Sequence, residues 1–531
     1  MKKSYKTYYK AKGKTYLEEV ERTLFQKPYS LSKVLLLHIG VGLFKLLYIV
    51  SGIQNLDFEE AQYWTWSKHL DIWYYSKPPM VAYLNWFSTW LFGVHEWSVR
   101  INAVVLSVLT AVAVYYLALE LYKSARLAFY ASVILLFFPG FVYTSIYFTT
   151  DAPLVLFWVL SWLFFWKAIK AENEIKYWLL TALFVGLGLL SKYALLFFYP
   201  ISFLYLWLYH KEKLKQPGYY LCVVLSLLFL LPFVIWNMKH QWVGVGHLAR
   251  LSGFLQTSPT FTIQKIFARQ MEFLGGQLAF NLPILFLLLF WRKYRWARVI
   301  SQEADRFLLF QLTFIFLVFF GLAFFKRVNI NWLLFAYVPI YIVVARILIS
   351  KPIYKGIQIS FLILAFLFAL FFFQPALTLL DIPLSRVMSG KVDPNKKLQG
   401  WPNLALVAEA NLDFLNVESP LIFSESYRVA SELSFYMKGN PDVYTLPIPS
   451  RRKHQFDIWG IPAKDVRTSG AALLVTTKPM DSYGWESTAG NMIHKDSLTL
   501  YYKNHPIGTY YFYLLNDFYK VKGIDARLNR Y

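Results

Sequence analysis

The sequence predicts a polytopic α-helical membrane protein of about 11–13 transmembrane helices, followed by a C-terminal soluble α/β domain. Three observations carry this. The chain is 57% hydrophobic and only 16% charged over 531 residues, with a mean hydropathy of +0.39. Apolar runs near spanning length recur through its first 375 residues. Beyond them the composition changes to turn formers, mixed charges and short β-rich runs.

The runs fall at about 33–53, 99–121, 127–140, 152–170, 177–190, 194–210, 217–236, 278–291, 306–325, 332–349 and 357–375. The run 79–93 is a further span or an interfacial piece. Tryptophans and tyrosines cluster at run ends, as headgroup belts require. Residues 376–531 read as the α/β domain. SPLIFSES, DVYTLPI, GAALLVTT and IGTYYFYLL are strand candidates, and 423–438 reads as strand end, loop, then helix.

The net charge of +23 is large, yet a nucleic-acid binder would spread it over a polar background. Residues 374–531 hold 18 Lys+Arg against 15 Asp+Glu, so nearly all of the excess lies in the membrane part. Nine basic residues crowd the first 33 positions, and others fall in alternate loops. That pattern sets the N-terminus in the cytoplasm and the C-terminal domain outside, against an anionic inner leaflet. No nucleic-acid partner is expected. The lone Cys222 excludes an intrachain disulfide and a zinc-type cysteine cluster. His95, His240 and His247 lack metal-ligand spacing, and there is no Walker or Ser-His-Asp pattern. The cluster Arg451-Arg452-Lys453-His454 reads as a surface loop.

Candidate chemistry therefore rests on scarce outward-facing charges, because carboxylates near hydrocarbon are costly. The first loop, LDFEEAQYWTWSKHLDIWYYSKPPMVAYL, is densest. A helix over about 56–70 sets Glu59, Tyr63 and Trp66 on one face and Glu60, Trp64 and Ser67 on the next. Such a helix is either an interfacial anchor with solvated acids or a site. Pro78-Pro79 stiffens the chain after Tyr75 and Lys77. A fixed ammonium there suits a phosphate or snorkels to headgroups. Asp151 is a helix cap or an outer-face carboxylate. Lys192 in SKY, and Lys326 and Asn331 in FKRVNINW, converge on the same outer side and suit an anionic ligand such as a lipid phosphate.

Taken in order, these motifs resemble the membrane-embedded GT-C glycosyltransferases of the dolichyl-phosphate-mannose–protein mannosyltransferase group, the bacterial aminoarabinose lipid A transferase-like branch above all. The resemblance runs through Glu59-Glu60-Ala61-Gln62-Tyr63-Trp64-Thr65-Trp66-Ser67 and Tyr74-Tyr75-Ser76-Lys77-Pro78-Pro79. It continues through Arg100, Thr150-Asp151-Ala152-Pro153, Ser191-Lys192-Tyr193, Trp236-Asn237, Gly276-Gln277 and Asn331-Trp332. In the C-terminal domain it includes Glu432-Leu433-Ser434-Phe435-Tyr436 and Gln455-Phe456-Asp457-Ile458-Trp459. It implies transfer of a sugar from a polyprenyl-phosphate donor of the undecaprenyl type to a lipid, glycan or protein acceptor, with inversion.

The roles follow as implications. The family's first-loop aspartate aligns with Glu59, and Asp57 stands two residues earlier, so either is the base. Glu60 and Asp151 are further carboxylates. Lys77, Lys192, Lys326 and Arg100 would hold the donor phosphate, and Tyr63, Trp66, Tyr75 and Asn331 would line the substrates. Where the lipid A branch carries Glu-Lys before Pro-Pro, this chain has Ser76-Lys77. No cofactor is fixed; a divalent metal ion, if one is used, falls to Glu59 and Asp151. A bacterial inner membrane is the expected location. The competing reading is a transporter or lipid-linked-sugar flippase, which calls for mid-membrane charge and internal duplication. Lys45 is the main such charge, and no duplication is visible.

Overall fold

The computed structural model describes residues 29–172, 174–252, 262–280, 302–350, 363, 394–414, 420–446, 453–460, 471–483, 492–502 and 504–516. Six helices among these are long and apolar enough to cross a membrane. They are α1 (Leu31–Val50), the helix Glu96–Tyr122, the helix Asp151–Lys170, Pro217–Lys239, Glu303–Ala323 and Ile330–Ile349. The protein is an integral membrane protein. The runs expected at 127–140, 177–190 and 194–210 are shorter apolar helices, Ala125–Phe137, Ile175–Leu189 and Tyr193–Tyr209. A 3-10 turn followed by Pro139 ends the first, and a 3-10 turn opens the third. The run at 79–93 becomes the 13-residue helix Met80–Phe92, ended at Gly93, whose φ of 77° favours glycine. The run at 357–375, most of 278–291, the N-terminal tail before residue 29 and the expected boundary at 375/376 lie outside the described residues.

The first-loop helix, α2 (Phe58–Lys68), forms where expected. Asp57 caps it: its Oδ1 accepts the Glu59 N–H at 2.9 Å, and Glu60 reaches back to accept the Asp57 N–H at 3.0 Å. The interfacial-anchor alternative fails here. Tyr63, Trp64 and Trp66 are buried, because protein rather than lipid covers the helix.

That cover comes from the C-terminal residues. A five-stranded sheet runs in the order β2-β1-β3-β5-β4. Its strands are β1 (Leu421–Ser424), β2 (Val443–Thr445), β3 (Ala471–Thr476), β4 (Met492–Tyr502) and β5 (His505–Asn516). The first three pair in parallel, and β5 runs antiparallel to β3 and β4. One face of the sheet packs on the helices Trp401–Asp413 and Tyr427–Tyr436 (here α3 and α4). The sequence reading missed β4, whose first half is exposed and polar and so lacks a strand's alternation. Instead of lying in a surface loop, His454 is buried at the start of the helix Gln455–Trp459 (α5); Arg451 and Arg452 lie outside the described residues.

α4 packs across α2. Phe435 meets Trp64 edge-on at 4.9 Å, and the Leu56 N–H donates to the Tyr436 hydroxyl at 2.7 Å. At the far end, the Lys68 ammonium donates to Asn440 O (2.8 Å), Pro441 O (3.2 Å), Ser434 Oγ (3.3 Å) and Asp442 Oδ1 (2.6 Å).

The N-terminal end of α2 is held by Glu60. This carboxylate and the Arg100 guanidinium are 0% and 1% exposed and 2.8 Å apart. Glu60 also accepts the Phe148 N–H at 2.9 Å. Arg100 further donates to Gln54 O at 3.0 Å and Asn55 O at 2.7 Å. One ion pair thus ties the loop before α2, α2 itself, the helix Glu96–Tyr122 and the 148 region. Removing one partner leaves a buried charge uncompensated, at a cost of about 3–5 kcal/mol. Glu60→Gln should lower the thermal midpoint in detergent by that order, whereas Glu59→Gln should move it by less than about 0.5 kcal/mol. A Glu60→Gln protein that melts with the wild type would refute this scaffold role.

Candidate active site

Glu59 lies one residue from the scaffold pair but about 100° round the helix. It is half-buried, and its carboxylate meets no hydrogen-bond or ion-pair partner among the described residues. One turn on, Tyr63 shares its face. The Tyr63 phenol is pushed well above its usual pKa, first by burial and then by the charges of Glu59 and Asp151. Tyr63 therefore lies within electrostatic range of both the first-loop acid and Asp151, which the chain places 92 residues apart.

Asp151 opens the helix Asp151–Lys170, with Pro153 in its first turn. The capping alternative is only half met, since Thr150 takes the cap position without a side-chain bond. The buried Asp151 carboxylate instead accepts from the Lys192 ammonium at 2.7 Å. Lys192 is set in place by the sharp stop after the helix Ile175–Leu189, where its N–H returns to Gly188 O at 2.9 Å.

The Tyr75–Pro79 segment is pinned at both ends. The Tyr75 N–H donates to Gln455 Oε1 at 2.6 Å, and the Met80 N–H donates to Leu190 O at 3.0 Å. Just upstream, the Trp73 indole N–H donates to the Tyr193 hydroxyl at 2.8 Å. Lys77 thus sits on a stiff strap laid against the Ser191-Lys192-Tyr193 segment. Lys326 lies 4.9 Å from the Trp332 ring, and rings link that segment to the Lys192 turn (Phe197–Phe319 at 5.5 Å, Phe319–Trp332 at 5.9 Å). Burial lowers the Lys326 pKa. Asn331 is exposed beside it.

Two expected roles change. Arg100 is taken up by Glu60 and two backbone carbonyls, so it is no phosphate ligand. Glu60, saturated by Arg100 and two N–H groups, is no base. Trp66 and Tyr75 also line the site from behind rather than from within. Trp66 stacks on Tyr74 at 4.6 Å, and Tyr75 packs against His247 at 4.6 Å. Among the described residues no group of three or more His, Cys, Asp or Glu is arranged to hold a metal ion. Asp151 already carries an ammonium, which makes Glu59 and Asp151 a poor donor set, and no step is derived through a metal.

Three residues escaped the sequence reading. Tyr143 lies within electrostatic range of Asp57, Glu59 and Glu60. Tyr427 lies within range of Tyr63. Glu432, on α4, is fully buried, and neither of its carboxyl oxygens has a hydrogen-bond partner among the described residues. Burial, with Asp57, Glu60 and Glu96 adding to it, holds its carboxyl well above the usual range. Only the ELSFY resemblance pointed to it.

A multispanning fold whose scarce carboxylates and ammoniums gather under a small α/β domain is similar to that of the membrane-embedded GT-C glycosyltransferases. Residues 76–236 match the dolichyl-phosphate-mannose-protein mannosyltransferase family. Over 485 residues the chain is 24% identical to a lipid A galacturonosyltransferase, RgtD, of Rhizobium johnstonii, covering 88% of this chain and 97% of that one. It is 30% identical over 202 residues to an undecaprenyl phosphate-alpha-4-amino-4-deoxy-L-arabinose arabinosyl transferase of Proteus mirabilis, covering 36% of each. The fold matches ArnT from Cupriavidus metallidurans bound to undecaprenyl phosphate with a TM-score of 0.62 and 15% identity, over 93% of this chain and 99% of that one.

Asp57 adds a pH signature. Burial pushes its carboxyl up to about 6, the Glu59 N–H opposing and the charges of Glu59 and Glu60 assisting. An unfolded aspartate titrates near 3.9. The folded state therefore binds the extra proton, and stability is full below about 4 and lost as pH rises through about 6. Asn keeps the cap. Asp57→Asn should melt with the wild type at about pH 4 and above it at about pH 7.5, and a constant gap between the two midpoints would contradict the shift.

Proposed function

We propose that the chain transfers a sugar from a polyprenyl-phosphate donor of the undecaprenyl type to a lipid, glycan or protein acceptor at the outer face of the membrane, a glycolipid acceptor fitting its relatives. What carries this reading is Tyr63, within electrostatic range both of the unpartnered Glu59 carboxylate and of Asp151, which pairs with Lys192. The relatives of named activity are transferases, and the transporter reading falls with that. Lys45, the charge buried within α1, donates to Ser145 Oγ at 2.6 Å.

Glu59 takes the proton of the acceptor hydroxyl as its oxygen attacks the anomeric carbon. The bond from that carbon to the phosphate oxygen breaks, and the phosphate leaves with the electron pair. Growing charge on it is met by Lys192, with Lys77 and Lys326 from the neighbouring segments. Asp151 holds Lys192 in position, and Tyr63 orients the reacting groups. One displacement with no protein nucleophile inverts the anomeric centre. Asp57 is left as the cap that aims Glu59. Support for the orientation comes from the basic loops: they put the N-terminus in the cytoplasm of a bacterial inner membrane and the sheet domain on the opposite side.

Glu59→Gln should cut transfer of labelled sugar from a polyprenyl phosphate by about 10²–10⁴ while donor binding persists. Near-normal turnover would overturn the assignment of Glu59. Lys192→Ala should raise KM for the donor by about tenfold or more, with a smaller change for the acceptor. An unchanged donor KM would remove Lys192 from the phosphate site.

A further inference from the structure

Beyond the reacting groups, the interface between α2 and the sheet domain holds a second concavity of about 250 Å³. Thr65 and His69 line it from α2, Asp442 and Tyr444 from the sheet side, and Phe456 and Trp459 from α5. Its walls are aromatic. The His69 ring lies 4.9 Å from Trp459, which packs against Phe456 at 5.2 Å. Its polar rim is one carboxylate. Asp442 Oδ1 accepts from Lys68 at 2.6 Å and faces His69 Nε2 at 3.2 Å, while Oδ2 meets no partner among the described residues. His69 and Lys68 hold the Asp442 carboxyl well below its usual range, so it stays ionised.

We propose that this cleft is a saccharide-binding subsite that holds a mono- or disaccharide portion of the acceptor, remote from the reacting hydroxyl. A sugar ring has one face of C–H groups and a rim of hydroxyls. Flat aromatic faces take the first, and a fixed carboxylate and imidazole take the second. A long acyl chain would leave Asp442 Oδ2 desolvated with nothing to accept from, at a cost. The volume is below that of most drug-sized pockets, which limits the occupant to a few rings at most. Position supports the role. Thr65 and His69 lie about 9–15 Å along α2 from Glu59 and roughly a third of a turn round from its face. An acceptor reacting at Glu59 reaches the cleft only if it extends by a few sugar units beneath the sheet domain.

The proposal rests on the transferase reading for its biological role, but its test needs no turnover. The full chain in detergent micelles is mixed with free chitobiose or free maltose, and saturation-transfer NMR reads which sugar protons touch protein. The expected result is transfer to at least one of the two disaccharides, lost by about tenfold in both Trp459→Ala and His69→Ala and retained in Glu59→Gln. Circular dichroism and monodispersity confirm that each variant is folded, and exposed His69 is the variant least disturbing to the core. Transfer to neither sugar, or transfer unaffected by both cleft variants, overturns the subsite. Loss in Glu59→Gln with retention in the cleft variants also overturns it, by placing the sugar at the catalytic centre. A transferase that works while these outcomes fail, or a cleft that binds sugar in a protein without transferase activity, separates this inference from the function it extends.

Discussion

The catalytic arrangement depends on a buried ion pair that does no chemistry. Glu60 and Arg100 are withdrawn from water where the membrane part meets the sheet domain, and desolvating two charges costs several kcal/mol each. The cost is offset because all three guanidinium nitrogens and both carboxylate oxygens of the pair are hydrogen-bonded. Glu60 takes the guanidinium, the Asp57 N–H and the Phe148 N–H, while Arg100 closes the carbonyls of Gln54 and Asn55. What results is a fixed origin for α2. With its first turn clamped, Glu59 projects from a helix that can neither fray nor roll, and pre-orientation of that kind is worth more to a reacting group than an additional contact.

The same corner shows how environment divides labour among chemically similar groups. Asp57, Glu59, Glu60 and Glu432 crowd one end of α2. Glu60 is faced by the Arg100 guanidinium at 2.8 Å. Burial and its neighbours' negative charge both hold the Glu432 carboxyl well above its usual range. Asp57 is poised near 6. Glu59, half-buried and unpartnered, is the one with an accessible carboxylate.

Much of this was legible in the sequence, though unevenly. Scarcity of acids outside the cytoplasmic loops drew attention to 57–60, to Asp151 and to the lysines at 77, 192 and 326, and the structure lays Lys77's strap against the Lys192 turn. Local spacing could not separate Glu59 from Glu60. They are adjacent, and what distinguishes them is an arginine 40 residues away at the start of a span, which as sequence reads equally well as a phosphate ligand. The aromatic run at 63–66 looked like a membrane-surface anchor because its true cover, Phe435 and Tyr436, lies some 370 residues on in the chain. Long-range partners of this kind leave no periodic trace. Helix boundaries were hard to read for a related reason: Pro139 and the 3-10 turn at Tyr193 interrupt apolar runs locally, and those breaks set where the helices end.

The sheet domain is therefore better understood as a wall of the site than as an appendage. Its helix α4 buries the face of α2 that would otherwise expose Trp64, and Gln455 of α5 pins the strap that carries Lys77. Lys68 spends its donors on Ser434, Asn440, Pro441 and Asp442, all from the same side. These contacts fall at the two ends and along the length of an 11-residue helix, so the domain cannot shift without carrying Glu59 and Lys77 with it.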